Sequence, residues 1–163
     1  MTLTKSMTAA ALLGAITVSG TAYAQTAPTL VTAENPAAIV AVIQALGFQA
    51  RLDKDSGGDP LIRSSSNGVD FGIYFYGCTK NKKCKSIQFS AGYDLDDGTT
   101  LDVIDDWNEM KRFASAYLDN ENDPFLQMDV NMEGGITQEN FEKNFDLWQT
   151  LKGQFEDHIH FNK

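Results

Sequence analysis

Hydrophobic positions recur with two different periods along the chain, and the changes of period divide it into elements. Ile39, Val40, Ile43 and Leu46 fall on one helical face, with Asn35 and Pro36 as cap and first-turn residue and Gly47 as terminator, so the first element is a helix. Phe48 to Asp53 and Leu61 to Ser65 read as strands around a turn at residues 55–60, and Asn67-Gly68 supplies the next reversal. Phe71, Ile73 and Phe75 alternate with Gly72, Tyr74 and Tyr76, as Ile87 and Phe89 do with Ser86, Gln88 and Ser90. These short spacings predict an antiparallel meander. Leu101, Ile104 and Trp107 then share a helical face whose flanks carry Asp102, Asp105, Asp106 and Glu109. Phe113 to Leu118 and Phe125 to Met132 are two further strands. Phe141, Phe145, Trp148, Leu151, Phe155 and Ile159 mark a last helix from Thr137 as cap to about His160. The expected fold class is α+β, an antiparallel sheet packed with three helices.

That last stripe, with Trp107, carries the heaviest apolar load of the chain. Trp107, Phe141, Phe145, Trp148 and Phe155 are therefore either packing residues that cover the sheet or a protein-binding face, the last four on a helix of about 34 Å that is left partly open if the sheet is too short to hide it. Gly153 is either a bend in this helix or a tolerated weakening residue.

The segment before the first helix reads differently. Lys5, the short apolar run from Ala9 to Val18 and the small residues Ala22 and Ala24 around Tyr23 form a signal-peptide pattern over residues 1–24. Residues 25–33 are a short tether and residues 34–163 the folded domain. No later segment is apolar enough to cross a membrane. The expected location is periplasmic or secreted. In such a compartment Cys78 and Cys84, brought across from each other by the hairpin that holds them, should close into a disulfide. The closed loop is worth about 2 to 2.5 kcal/mol before strain is subtracted. The alternatives for this pair are redox chemistry, which wants two intervening residues at a helix start, and a zinc site, which would have to recruit His158 and His160.

Charge narrows the partners. Twenty-two acidic residues face 13 basic ones, a formal net charge of -9, which disfavours nucleic acid and anionic membrane surfaces. Lys80, Lys82, Lys83 and Lys85 on the hairpin tip form the single local basic patch and a candidate contact surface. Residues 94–123 hold ten acidic side chains against Lys111 and Arg112, an asymmetry that could steer an oppositely charged partner or a second copy into a homodimer. The acidic loops at Asp53, Asp55 and Asp59 and at Asp94, Asp96 and Asp97 miss the calcium-loop spacing. His158 and His160, two residues apart, fall on different helical faces. Ser64-Ser65-Ser66 lacks the glycine flanks of a nucleophile elbow, and no glycine-rich phosphate loop is present. No catalytic set and no cofactor site emerge.

Several short stretches carry a family resemblance. They are Asp59-Pro60-Leu61-Ile62, Phe75-Tyr76-Gly77-Cys78, Asp106-Trp107-Asn108 with Lys111-Arg112-Phe113 behind it, Ala116-Tyr117-Leu118-Asp119, and Glu133-Gly134-Gly135-Ile136. In order and coverage, from about Leu30 to His158, the chain resembles the YbjN domain family. The resemblance implies a fold like that of type III secretion chaperones and a regulatory label without chemistry; it brings no catalytic residues. A signal sequence and a hairpin disulfide depart from a cytosolic chaperone. The expected function is a non-enzymatic extracytoplasmic module, chaperone-like or regulatory, that binds a protein or peptide. The competing expectation is a periplasmic metal- or small-ligand-binding sensor using the acidic loops or the terminal histidines.

Overall fold

A computed structural model describes residues 29–161. Residues 1–24, expected to be a signal peptide, and the first part of the expected tether lie outside the described residues.

The main sheet has six antiparallel strands, all on one chain. In chain order they are β2 (Gln49–Lys54), β3 (Pro60–Ser66), β4 (Val69–Tyr76), β5 (Ser86–Gly92), β6 (Ser115–Leu118) and β7 (Pro124–Asn131), and across the sheet they run β2-β3-β4-β5-β7-β6. The expected meander thus holds through β5. β7 then pairs with β5 and places β6 at the far edge. Asn67 and Gly68 link β3 to β4 with φ of 53° and 79°, the paired positive values that a two-residue hairpin of the right twist demands.

Among the described residues three helices complete the body: α1 (Pro36–Ala45), α2 (Leu101–Met110) and α3 (Gln138–His158). The Asn35 side chain accepts from the Ala38 amide at 3.2 Å, and Thr137 Oγ1 accepts from the Asn140 amide at 3.2 Å, so both predicted caps form. α3 crosses the sheet on the face of Phe71, Phe89 and Met128. Its Trp148 ring lies 5.8 Å from Phe71 and 5.5 Å from Phe89, and Phe145 meets Phe48 edge-on at 4.9 Å. α2 joins the same layer through Trp107, 4.9 Å from Phe155. Trp107 also donates from Nε1 to the Ala114 carbonyl at 3.1 Å, which satisfies the one polar atom that its burial removes from water.

One expectation needs correction. Leu30–Val31, read as tether, forms strand β1, which pairs with β8 (Ile136–Thr137) in a separate two-stranded ladder. Val31 and Ala33 are buried, so this piece of chain clips the start of α3 to the start of α1. Two-residue strands carry no period that a sequence could display.

Candidate protein-binding surface

The five aromatic residues left open between packing and partner binding all lie in the core. Phe141, Phe145, Trp148 and Phe155 have no exposed surface and Trp107 has 1%. The sheet is wide enough to hide α3 along its length, and an exposed aromatic stripe does not exist on this helix. Gly153 sits within a helix that continues through it, with open space where a Cβ would stand, so it is a tolerated weakening residue.

Because every helix packs on the same side, the opposite face of the sheet is left to solvent. Strand alternation fixes which residues stand there. One cross-strand row runs Arg51, Arg63, Gly72, Ser90, Gln127, Ser115; the next runs Asp53, Leu61, Tyr74, Gln88, Asp129. Charged residues lie on β2 and β3, and aromatic rings on β4, β7 and the edge strand β6, with Leu61 buried between them. A Cβ on Gly72 would stand 2.7 Å from the Tyr74 ring and one on Gly92 would stand 2.5 Å from the Phe125 ring, so both rings lie down over glycines instead of rising from the sheet. Phe125 in turn stacks on Tyr117 at 5.2 Å. Between these rings and the arginines is an open hollow of about 510 Å³ floored by Gly72, Ser90 and Gly92 and rimmed by Arg51, Arg63 and Asp70. Tyr76 and Tyr117 remain 46% and 42% exposed.

Charges on this face are organised. Asp53 Oδ2 accepts from Arg63 Nε at 2.7 Å and lies 3.4 Å from Arg51, so one carboxylate aligns two guanidinium groups that sit directly opposite each other on neighbouring strands. The Arg63 hydrogen bond, helped by the Lys54 amide, holds the Asp53 carboxyl below its ordinary range, and Asp53 raises Arg63 in return. Burial, with Asp129 nearby, pushes the Tyr76 hydroxyl up. Tyr76, Gln88 and Asp129 form a hydrogen-bonded ladder across three strands at 3.3 and 3.1 Å.

The edges of the sheet are guarded. On β6 the Asn108 amide pairs with both backbone groups of Ala116, at 3.0 and 2.8 Å, in place of another strand. On β2 the Gln44 amide donates to the Ala50 carbonyl at 2.9 Å. Both devices discourage strand addition.

The remaining expected residues are spread out. Cys78 and Cys84 are joined in a disulfide at the β4–β5 tip. Of the four tip lysines, Lys85 pairs with Glu133 at 2.9 Å, which raises it, and Lys80 and Lys82 border a second cleft. The acidic loops are turn chemistry: the Asp55 carboxylate accepts from the amides of Gly57 and Asp59, Asp119 from those of Glu121 and Asp123, and Asp123 from Leu95. His158 donates from Nε2 to the Val103 carbonyl at 2.8 Å and ties α3 to α2, whereas His160 is exposed. Among the described residues no three His, Cys, Asp or Glu side chains gather as a metal set.

A sequence profile described as "Putative bacterial sensory transduction regulator", the YbjN profile, matches residues 35–161. The chain belongs to the YbjN family. The YbjN domain therefore spans α1 to the end of α3. Its fold is similar to the crystal structure of YbjN from E. coli, with a TM-score of 0.56 and 17% identity over 80% of this chain and 92% of that one. No curated protein matches the chain.

Sequence reasoning missed two pairs and one single residue in this YbjN domain. Arg51 and Arg63 escaped because their strands were placed but not registered. Asn108 looked like one more polar residue on α2. Lys152 and Glu156 stand i, i+4 within the core-facing stripe of α3, and are 1% and 3% exposed, with Nζ and Oε1 2.7 Å apart. Their signal was visible: Lys152 falls four residues after Trp148 and three before Phe155, on the face that should be apolar.

Proposed function

We propose that this YbjN domain is a non-enzymatic regulatory module that works outside the cytoplasm by binding a polypeptide across the outer face of its six-stranded sheet. The observation that carries the reading is the uncovered face itself, where Tyr74 and Phe125 lie over Gly72 and Gly92 and leave a hollow between them. A face meant only for water needs neither aromatic rings nor glycine gaps, and exposed aromatic surface of this kind is characteristic of interface anchors. Face binding is also favoured over strand addition, since Asn108 and Gln44 occupy backbone groups on the two edges. The signal-like residues 1–24 and the Cys78–Cys84 bridge support an oxidising compartment.

The test places a photo-crosslinking amino acid at Tyr76 or Tyr117 on the outer face and at Glu139 on the exposed side of α3, in the protein expressed in its own host. Defined adducts from the first two positions and none from Glu139 are expected. Equal adducts from all three positions, or none from the outer face, would overturn the assignment.

A further inference from the structure

A second cleft lies at the edge of the body, between α1, strand β2 and the disulfide-closed tip. It measures about 680 Å³, within the range of ligand pockets. Its apolar surface comes from Pro36, Leu52 and Pro60, and its cationic surface from Lys54, Lys80 and Lys82. Leu52 is 47% exposed there, an unusual position for a strand leucine beside a core that could have covered it. None of the three lysines has an ion-pair partner among the described residues, on a chain whose formal charge is -9. Asp53 also lines the cleft, but its carboxylate is turned to Arg63 and Arg51 on the other side of β2, and the Asp59 carboxylate nearby is occupied by Asn81.

The tip is built to keep this arrangement. Lys80, Asn81 and Lys83 have φ of 53°, 60° and 52°, a region that side chains other than glycine and asparagine enter at a cost. The Cys78–Cys84 bridge prevents the loop from relaxing. Asn81 then fastens it across to the neighbouring turn, donating from Nδ2 to the Gly57 carbonyl at 3.2 Å and to Asp59 Oδ1 at 2.9 Å. A solubilising tip would require none of these constraints.

We propose that this cleft is a binding site for an acidic polypeptide segment that carries an aromatic or aliphatic side chain beside its carboxylates. The lysines meet the carboxylates and the Leu52 surface takes the apolar group. A short segment touches only the cleft and avoids the acidic remainder of the surface, which a long polyanion would have to cross. The site is separate from the outer face, because Leu52 stands on the opposite side of β2 from Arg51 and Asp53.

Fluorescence anisotropy with a labelled Glu-Glu-Phe-Glu-Glu peptide, on the oxidised protein at low salt, tests the site. Saturable binding that weakens with salt is expected. Lys80→Glu with Lys82→Glu, two exposed substitutions checked for an unchanged melting temperature, should weaken it on the order of tenfold. Leu52→Ser should weaken it severalfold, and the same peptide without phenylalanine should bind correspondingly less. Cys78→Ser with Cys84→Ser should also weaken it by releasing the tip, whereas Tyr117→Ala on the outer face should leave it unchanged, so failure here is distinct from failure of the sheet-face reading. Salt-sensitive self-association lost in the two-lysine variant would support the site and identify a second copy as the source, whose Leu101 is exposed beside Asp102. No binding, equal binding by the two-lysine variant, or equal affinity for inorganic polyphosphate would overturn the proposal.

Discussion

Lys152 and Glu156 give the sharpest quantitative expectation. Both side chains are almost wholly buried on α3; the ammonium donates to Glu156 Oε1 at 2.7 Å and to the Ser66 carbonyl at 3.3 Å, and the Tyr93 hydroxyl lies 3.5 Å from the same carboxylate oxygen. Lys152→Met keeps the stem length and removes the charge, so Glu156 loses the Lys152 ammonium while still within the aromatic core. Removal of one member of such a buried pair costs about 3 to 5 kcal/mol. That is a large part of the 5 to 15 kcal/mol, roughly, that holds a domain of this size together. Lys152→Met with Glu156→Leu removes both charges and should recover most of the loss, because two well-packed apolar side chains are on average as stabilising as the desolvated pair. Urea unfolding of wild type, both single variants and the double, with unchanged slopes, measures the coupling directly. A loss below about 1 kcal/mol for Lys152→Met, or a double variant as unstable as the single, would refute the reasoning.

Two other expectations follow from the packing. Gly153→Ala should stabilise the protein by about 0.5 to 1 kcal/mol in urea unfolding, since a Cβ there meets nothing within 4 Å and removes helix-opposing freedom. Burial first, and Glu156 second, raise the Tyr93 hydroxyl above the ordinary tyrosine value. Its contribution is therefore complete below about pH 10, where unfolded tyrosine is still protonated, and is lost as the pH rises beyond it. Tyr93→Phe should flatten the alkaline fall of the melting temperature, while tyrosinate absorbance of the wild type should show one tyrosine titrating only with unfolding.

Much of the body was legible because single residues carried local signals. Asn35-Pro36, Asn67-Gly68 and Thr137 act through contacts within a few positions, and the α3 stripe repeats long enough for its period to be unambiguous. Strand order was not legible, because nothing local states that β7 should join β5 and leave β6 outside. The Lys152–Glu156 pair was passed over although its spacing was visible, because charge type predicts exposure so strongly that a lysine within a tryptophan and phenylalanine stripe reads as a boundary of the stripe. The candidate surface depended on register as well. Arg51 and Arg63 become neighbours, and Gly72 and Gly92 come to floor a common hollow, only after the pairing is known.

The two-layer architecture explains why the outer face is the part of this YbjN domain free to acquire a binding role. Phe71, Ile73, Phe75, Ile87, Phe89, Leu126 and Met128 commit one side of the sheet to α3 and its neighbours, and a substitution there disturbs the core. The residues that alternate with them have no helix to satisfy, so their identity is constrained only by solubility, strand pairing and whatever they touch outside. Solubility alone would place charged and hydroxyl side chains throughout. Instead Tyr74, Tyr76, Tyr117 and Phe125 stand on this side, and two of the strand positions beneath them are glycine, the residue that strands tolerate least well for its lack of packing surface. Glycine weakens β4 and β5 for the sake of rings that lie flat. The rings also serve the fold, since Tyr74 stands opposite Leu61, which is only 2% exposed, and Phe125 stacks on Tyr117, but a flat aromatic surface with an adjoining pair of aligned arginines is suited to receive the backbone and side chains of another polypeptide as well.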